Sequence, residues 1–305
     1  MRLASVSVDL DEVPCYAAIH GLEAPSDEAA RAIYRRALPR LRRFFDEHGV
    51  VGSFFAIGRD IDAENADRLR ALVADGHEVG NHTQNHLYDL TRRDEATWER
   101  EVGQAQRVLQ DATGERPEGF RAPGYTVVDG LLDVLPGQGL RYDSSVFPCP
   151  GYYGLKALAR GAIRIAGRRS QSVLDDPRVL LAPADPYRVG RPYRRRGAGI
   201  VELPIGVTRG ARLPYIGTSV VLSGRTGAAL LTRSIVGRPF VNLELHGIDL
   251  ADAEDDGLRW LAPHQPDLRR RARDKAAALA SALEVLRGAG YRFVPLREVA
   301  SRVEP

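Results

Sequence analysis

The chain has 305 residues, enough for one α/β barrel or two smaller domains, and length alone does not choose between them. Apolar residues make up 44% and charged residues 27%, a composition that argues against extensive disorder and against a membrane-spanning architecture. The formal net charge of +3 is too small to indicate nucleic acid as the main partner. The two cysteines, Cys15 and Cys149, are too few for a disulfide framework.

The start of the chain bears on its location. Residues 1–10 lack the basic start and long apolar run of a secretory signal. We therefore expect a cytoplasmic protein, with the inner face of the membrane as an alternative site.

The first half of the chain alternates short apolar segments with segments of helical periodicity. Such alternation predicts a parallel sheet or a (β/α) barrel. We expect Ser26 to cap the first helix and Pro39 to kink it. The predicted elements, in chain order, are a strand at 4–9, a helix at 26–47, a strand at 51–57, a helix at 63–75, a strand at 78–81, a helix at 94–113, a strand at 119–121, a helix at 128–135 and a strand at 141–143.

The second half loses this rhythm before regaining it. Residues 148–214 are rich in Pro, Gly and Arg, with one predicted helix at 156–168, and we expect this irregular segment to select the substrate. The regular elements that follow are a helix at 227–236, a strand at 240–245, a helix at 267–288 and a strand at 291–294. The whole chain is predicted to be a single domain.

Polar residues follow several of the predicted strands. Asp9, Asp11, His82, Arg121 and Asp143 each come directly after a short β segment. In a (β/α) barrel such positions converge on the rim where catalysis takes place. We therefore expect these five side chains to lie close together.

Two local patterns indicate a metal site. The histidines of His82-Thr-Gln-Asn-His86 are four residues apart, a spacing that places both on one face of a helical turn, where they can hold one ion. Asp9-Leu-Asp11 supplies two carboxylates. One can complete the three protein ligands of a catalytic zinc site, and the other can act as general base toward the bound water.

With these motifs the sequence resembles the polysaccharide deacetylases of carbohydrate esterase family 4, the NodB-homology group. The further motifs that carry the resemblance are Arg121-Ala-Pro-Gly-Tyr125 and Leu243-Glu-Leu-His246, in the family's order. The fourth motif is the poorest fit, because Asp143 is present without the tryptophan that accompanies it in many relatives. The resemblance implies a distorted (β/α) barrel of seven strands.

The resemblance also implies the role of each residue. Asp11, His82 and His86 would bind the metal, with Asp9 as base and His246 as general acid. Arg121 would orient Asp9, and Asp143 would belong to the catalytic group. The backbone N–H of Tyr125 would help to hold the oxyanion, and Leu243 would line the acyl pocket.

The main prediction is metal-dependent removal of an N-acyl group, with acetyl favoured over formyl, from a free or carrier-linked amino sugar. The expected cofactor is one divalent transition metal ion, with zinc favoured and cobalt, manganese or nickel as alternatives. Two other readings stay open, a metal-dependent sugar isomerase or lyase and an inactive carbohydrate-binding protein. The basic helix at 156–168 adds peripheral contact with anionic lipid to the partners considered.

Overall fold

A single curled sheet organises the molecule. The computed structural model describes residues 2–23, 25 and 27–303, so the predicted cap Ser26 lies outside the described residues. The strands within this part of the chain are β1 (Arg2–Asp9), β2 (Ser53–Ala56), β3 (Glu78–Asn81), β4 (Gly119–Phe120), β5 (Tyr142–Asp143), β6 (Tyr187–Val189), β7 (Arg196–Glu202), β8 (Phe240–His246) and β9 (Tyr291–Phe293).

The strand order gives the distorted (β/α) barrel that was predicted. The order is β6-β7-β5-β4-β3-β2-β1-β8, with β9 also paired to β1, and every pair is parallel except β6 with β7. The sheet has nine strands, so the predicted count of seven is wrong. The backbone N–H of Gly206 donates to the carbonyl of Asn242 at 2.9 Å, so the chain that follows β7 runs beside β8.

Helices cover the outer face of this sheet. Within the described residues, none is long and apolar enough to cross a bilayer. The α-helices of this part of the chain are α1 (Val13–His20), α2 (Asp27–Ala30), α3 (Leu38–Glu47), α4 (Ala63–Ala74), α5 (Glu95–Thr113), α6 (Asp129–Gly137), α7 (Pro150–Ile165), α8 (Gly217–Arg233), α9 (Ala272–Gly288) and α10 (Leu296–Ala300).

The largest apolar cluster lies between the sheet and its outer helices. It joins Val6 of β1 to Leu41 and Phe45 of α3 and to Leu279 and Leu283 of α9, all fully or almost fully buried. Burying an apolar side chain of this size stabilises the fold by roughly 1.5–3 kcal/mol relative to leaving it exposed. This cluster therefore fixes β1 at the centre of the sheet.

The predicted kink at Pro39 has a specific form. Residues Ile33–Ala37 make one turn of π-helix, and α3 begins at Leu38 with the proline in its first turn. Because Pro39 has no N–H, the turn before it cannot be closed by the usual α-helical hydrogen bond. The expected single helix at 26–47 is therefore divided.

The segment at 148–214 is more regular than its composition indicated. It contains α7, which begins at Pro150 rather than at residue 156, together with β6 and β7. β7 pairs in parallel with β5, so part of the segment is built into the barrel sheet. Helix α1 was also not predicted, although Glu12 caps its start and Gly21 ends it with φ of 63°.

We expect Gly119→Ala to destabilise the protein. A methyl group at this position of β4 would collide with the buried ring of Tyr142, whose hydroxyl is held by Glu78 Oε1 at 2.8 Å. Overpacking of this kind costs about 1–3 kcal/mol, and thermal denaturation would measure the loss. Gly161→Ala on α7 is the control, because a methyl group there meets no atom within 4 Å. It should be neutral or raise stability by about 0.5–1 kcal/mol, and equal losses for both variants would contradict this account of the packing.

Candidate functional site

Three buried side chains converge beyond the carboxyl ends of β1 and β3. The Asp11 carboxylate lies 3.2 Å from His82 Nε2 through Oδ1 and 3.3 Å from His86 Nε2 through Oδ2. Their potential ligand atoms all lie within 4.8 Å of one another. The arrangement is that of three ligands around one ion, as the sequence predicted.

The spacing of the two histidines had predicted a helical turn, but the structure places both histidines on a loop. β3 ends at Asn81, whose Oδ1 accepts the N–H of Thr83, and Thr83 Oγ1 in turn accepts the N–H of His86. Thr83 and His86 have φ of 65° and 53°. The side chains of Asn81 and Thr83 thus accept backbone N–H groups that a helix would otherwise use. These bonds favour a tight loop over a helical turn. The loop brings the two ring centroids within 4.8 Å.

The donor set fits a transition metal ion. His82 Nδ1 lies 2.7 Å from the carbonyl of Arg121, which favours a proton on Nδ1 and leaves the Nε2 lone pair for a ligand bond. Asp11 Oδ1 and both ring nitrogens of His86 are buried without a hydrogen-bond partner in the described part of the chain. Buried polar atoms without partners are unfavourable, and a cation would satisfy them.

The pKa shifts of the three residues also bear on metal binding. Burial raises the pKa of Asp11, but His86 and His82 lower it by more, so that it lies well below its usual range. Burial lowers the pKa of His86. Burial also lowers the pKa of His82, but Asp9 and Asp11 raise it by more, so that a cation would have to displace a proton there.

A buried ion pair lies beside this group. Arg121 Nη1 donates to Asp9 Oδ1 at 2.7 Å, and both side chains are almost completely excluded from solvent. The structure thus places Arg121 next to the predicted base. Its other donors bond to Ser7 Oγ at 2.9 Å and to Ser144 through Oγ at 2.8 Å and the carbonyl at 2.7 Å. The sequence reasoning did not identify these two serines.

The predicted general acid lies on the other side of Asp9. β1 and β8 pair with Asp9 opposite His246. His246 Nδ1 lies 3.0 Å from Glu244 Oε1, and the Tyr125 hydroxyl is within 3.4 Å of both ring nitrogens. Burial lowers the pKa of His246, but Glu244 and then Asp9 raise it by more, so that it lies well above its usual range.

Glu244 is a site residue that the sequence reasoning missed. It is 1% exposed and lies two positions before His246 in β8. Side chains two apart in a strand share a face, so this spacing was the available signal.

The structure gives Asp143 a different place from the one expected. Its Oδ1 accepts the Ser145 hydroxyl at 2.5 Å, and it is hydrogen-bonded to Glu202. Burial raises the pKa of both carboxyl groups, and Asp143 raises that of Glu202 further. The carboxylate beside His246 is that of Glu244, and the catalytic role of Asp143 stays a prediction.

Two further assignments change. The backbone N–H of Tyr125 donates to the carbonyl of Ala122 at 3.1 Å, so its predicted place in the oxyanion hole is already taken by a local turn. Leu243 is 1% exposed and belongs to the apolar cluster between the sheet and the helices. Alternation along β8 directs Leu243 away from the face of Glu244 and His246, so it does not line the site.

The comparison with protein families agrees with this geometry. The sequence profile of the family described as polysaccharide deacetylase matches residues 27–142, a range that contains the histidine pair and Arg121. This part of the chain is similar to the polysaccharide deacetylase family.

Named relatives match over part of their length. A peptidoglycan deacetylase from Helicobacter pylori is 26% identical over 147 residues, which cover 47% of this chain and 49% of that protein. A chitooligosaccharide deacetylase from Bradyrhizobium is 40% identical over 78 residues, which cover 25% of this chain and 35% of that protein. The matches thus span about half or less of the relatives' own length.

Solved structures share the fold across almost the whole length of this chain. The crystal structure of a proposed polysaccharide deacetylase from Mycobacterium smegmatis superposes with a TM-score of 0.61 and 18% identity, covering 99% of this chain and 90% of that one. A family 4 pseudoenzyme from Bacillus anthracis gives 0.53 and 11%, covering 100% and 67%. Because that neighbour is a pseudoenzyme, sharing the fold does not imply activity. An argument for activity must therefore come from the site residues.

The two aspartates should respond differently to removal of charge. Asp11→Asn should lower bound metal strongly, because a charged ligand becomes neutral, whereas Asp9→Asn should keep the metal, because Asp9 is held by Arg121. Elemental analysis of both variants, with circular dichroism to show that each is folded, makes the measurement. Loss of metal from Asp9→Asn with retention in Asp11→Asn would show that the two assignments are reversed.

Proposed function

We propose that the protein is a metal-dependent N-deacetylase that hydrolyses the N-acetyl group of an amino sugar. One observation carries the proposal. The Asp11-His82-His86 group lies beside an arginine-paired carboxylate, Asp9, and Asp9 lies opposite His246 across β1 and β8. Amide hydrolysis needs an activated water, a base and a proton donor, and this rim offers a place for each. The names of the peptidoglycan and chitooligosaccharide deacetylase relatives support the substrate class.

The metal is proposed to be one zinc ion, with cobalt, manganese or nickel as substitutes. Two imidazoles and one carboxylate are ligands that zinc accepts in catalytic sites, where three protein ligands leave a position open. When bound, such an ion lowers the pKa of a coordinated water and polarises the acyl carbonyl.

Different residues around the metal group serve as proton acceptor and proton donor. Asp9 accepts the proton of the attacking water, and Arg121 holds the carboxylate in position. His246, kept protonated by Glu244, gives a proton to the departing amine. The Tyr125 hydroxyl, within 3.4 Å of the His246 ring, orients that imidazole.

A panel of sugars tests the proposal. N-acetyl and N-formyl amino sugars, free and carrier-linked, are incubated with the metal-loaded protein, and free carboxylate and primary amine are both measured. Equal release of the two supports the deacetylase. An isomerase or lyase would change the sugar without releasing a carboxylate, and an inactive binding protein would release neither.

Glu244→Gln should change the pH dependence of turnover. The carboxylate raises the pKa of His246, so its loss lowers that pKa, and the protonated acid is then lost at lower pH. The alkaline limb of the kcat profile should move down by roughly 1 pH unit or more. Glu115→Gln, an exposed carboxylate elsewhere, is the control. An unshifted alkaline limb in a folded, metal-loaded Glu244→Gln protein would contradict the role of the pair.

Contact with an anionic membrane surface is a second part of the proposal. Helix α7 exposes Leu155, Leu158 and Ile165 by 66%, 73% and 90%. Residues 149–174, which include α7, contain five Lys and Arg and neither Asp nor Glu. Exposed apolar side chains together with a cationic segment favour the interface of an anionic bilayer.

Leu158→Glu should weaken binding to vesicles that contain anionic phospholipid. The charge opposes insertion of the apolar face and also repels the lipid headgroups. Leu230→Glu on α8 is a matched control, because Leu230 is similarly exposed, at 59%, on another helix. Co-sedimentation with anionic and zwitterionic vesicles makes the comparison. Equal vesicle binding by both variants would contradict membrane contact. So would light scattering that shows self-association of the protein instead of vesicle binding.

A further inference from the structure

A cavity rich in arginine lies next to the metal group. It has a volume of about 680 Å³, within the range of small-molecule sites, and His86 forms part of its wall. His86 thus belongs both to this cavity and to the three-residue metal group. A ligand held in the cavity would therefore lie next to His86, one of the proposed metal ligands.

The charge of the wall is strongly one-sided. Four arginines, Arg59, Arg92, Arg93 and Arg160, line the cavity, against one carboxylate, Asp89. Three hydroxyl and amide side chains, those of Ser170, Gln171 and Ser172, add neutral hydrogen-bonding groups. A concave surface of this composition attracts and orients an anion.

Some guanidinium N–H donors of these arginines have no acceptor in the described part of the protein. Within the described chain, the Arg92 guanidinium makes no hydrogen bond or ion pair, and Arg160 Nε is buried without a hydrogen-bond partner. Arg93 pairs with Asp89 at 2.6 Å. Arg59 donates to the carbonyl of Asn85 at 2.7 Å, which ties it to the loop that carries His86. The free donors belong to Arg92 and Arg160, which lie far apart in the sequence.

We propose that this cavity is an anion subsite that holds a phosphate or diphosphate group of the substrate. Guanidinium groups match the geometry of phosphate oxygens and bind them in pairs of hydrogen bonds. The inference rests on the proposed deacetylase function and deepens it, because the substrate becomes a phosphorylated amino sugar. Arg160 and the hydroxyl and amide groups all come from the segment 148–214, which gives that segment its expected part in substrate selection.

Kinetics with matched substrates test the subsite. For the best N-acyl sugar of the panel, kcat/KM is compared among the free sugar, its 1-phosphate, a short-chain alkyl diphosphate ester and a nucleoside diphosphate ester. We expect the phosphorylated forms to be favoured by about tenfold or more, as two charge-assisted hydrogen bonds allow. The alkyl and nucleoside esters separate a lipid carrier from a soluble one.

Two double variants with the same loss of charge make the comparison specific. Arg92→Gln/Arg160→Gln should reduce the preference for the phosphorylated sugar by about tenfold. Arg164→Gln/Arg169→Gln removes two exposed arginines that do not line the cavity and should leave the preference unchanged. No preference in the unaltered protein, or an equal fall in both double variants, would overturn the subsite.

A binding measurement keeps this result separate from the deacetylase proposal. Calorimetric titration with inorganic phosphate is performed on the metal-loaded protein and both double variants, with metal content measured afterwards. Weaker binding in the Arg92/Arg160 variant alone supports the subsite even if no sugar is hydrolysed. Identical affinity in all three proteins overturns it even if the deacetylase activity is real.

Discussion

The buried guanidinium of Arg121 is the constraint on which the rest of the site depends. Removing such a charge from water costs several kcal/mol unless its donors are satisfied and a counter-charge is close. Here Asp9 supplies the charge, and Ser7 and Ser144 accept the remaining bonds. Asn242 bonds both to Ser7 Oγ and to Ser144 Oγ and extends the network into β8. Four parts of the barrel are thereby held in one geometry around the carboxylate.

That geometry also serves the metal group. The carbonyl of Arg121 accepts from the His82 ring, so the residue that holds the proposed base also fixes the tautomer of a proposed metal ligand. A substitution at Arg121 would remove the guanidinium that holds Asp9 but would keep the backbone carbonyl that His82 contacts. The proposed proton donor, His246, is held separately, by Glu244 on its own strand and by Asp249, which accepts the backbone N–H of His246 at 2.9 Å.

The sequence allowed the convergence of the site to be predicted because each polar residue follows a strand, and parallel strands end on one edge. It did not allow the local geometry to be predicted. The spacing of His82 and His86 is equally suited to a helix and to the loop that forms, since the deciding bonds come from Asn81 and Thr83. β7 has a partner close in sequence, β6, but β5, the partner that joins it to the parallel sheet, is more than 50 residues away. Glu244 was missed although the period of a strand places it beside His246.

The position of β1 has a consequence for how the protein is made. β1 lies between β2 and β8 and also pairs with β9, so its neighbours come from near the beginning and from the end of the chain. The metal group is complete by residue 86, whereas the proton donor arrives at residue 246. During synthesis, the nascent chain thus carries all three ligands long before β8 can close the edge of β1. β1 is made well before its partners β8 and β9, so their docking is a long-range step of high contact order.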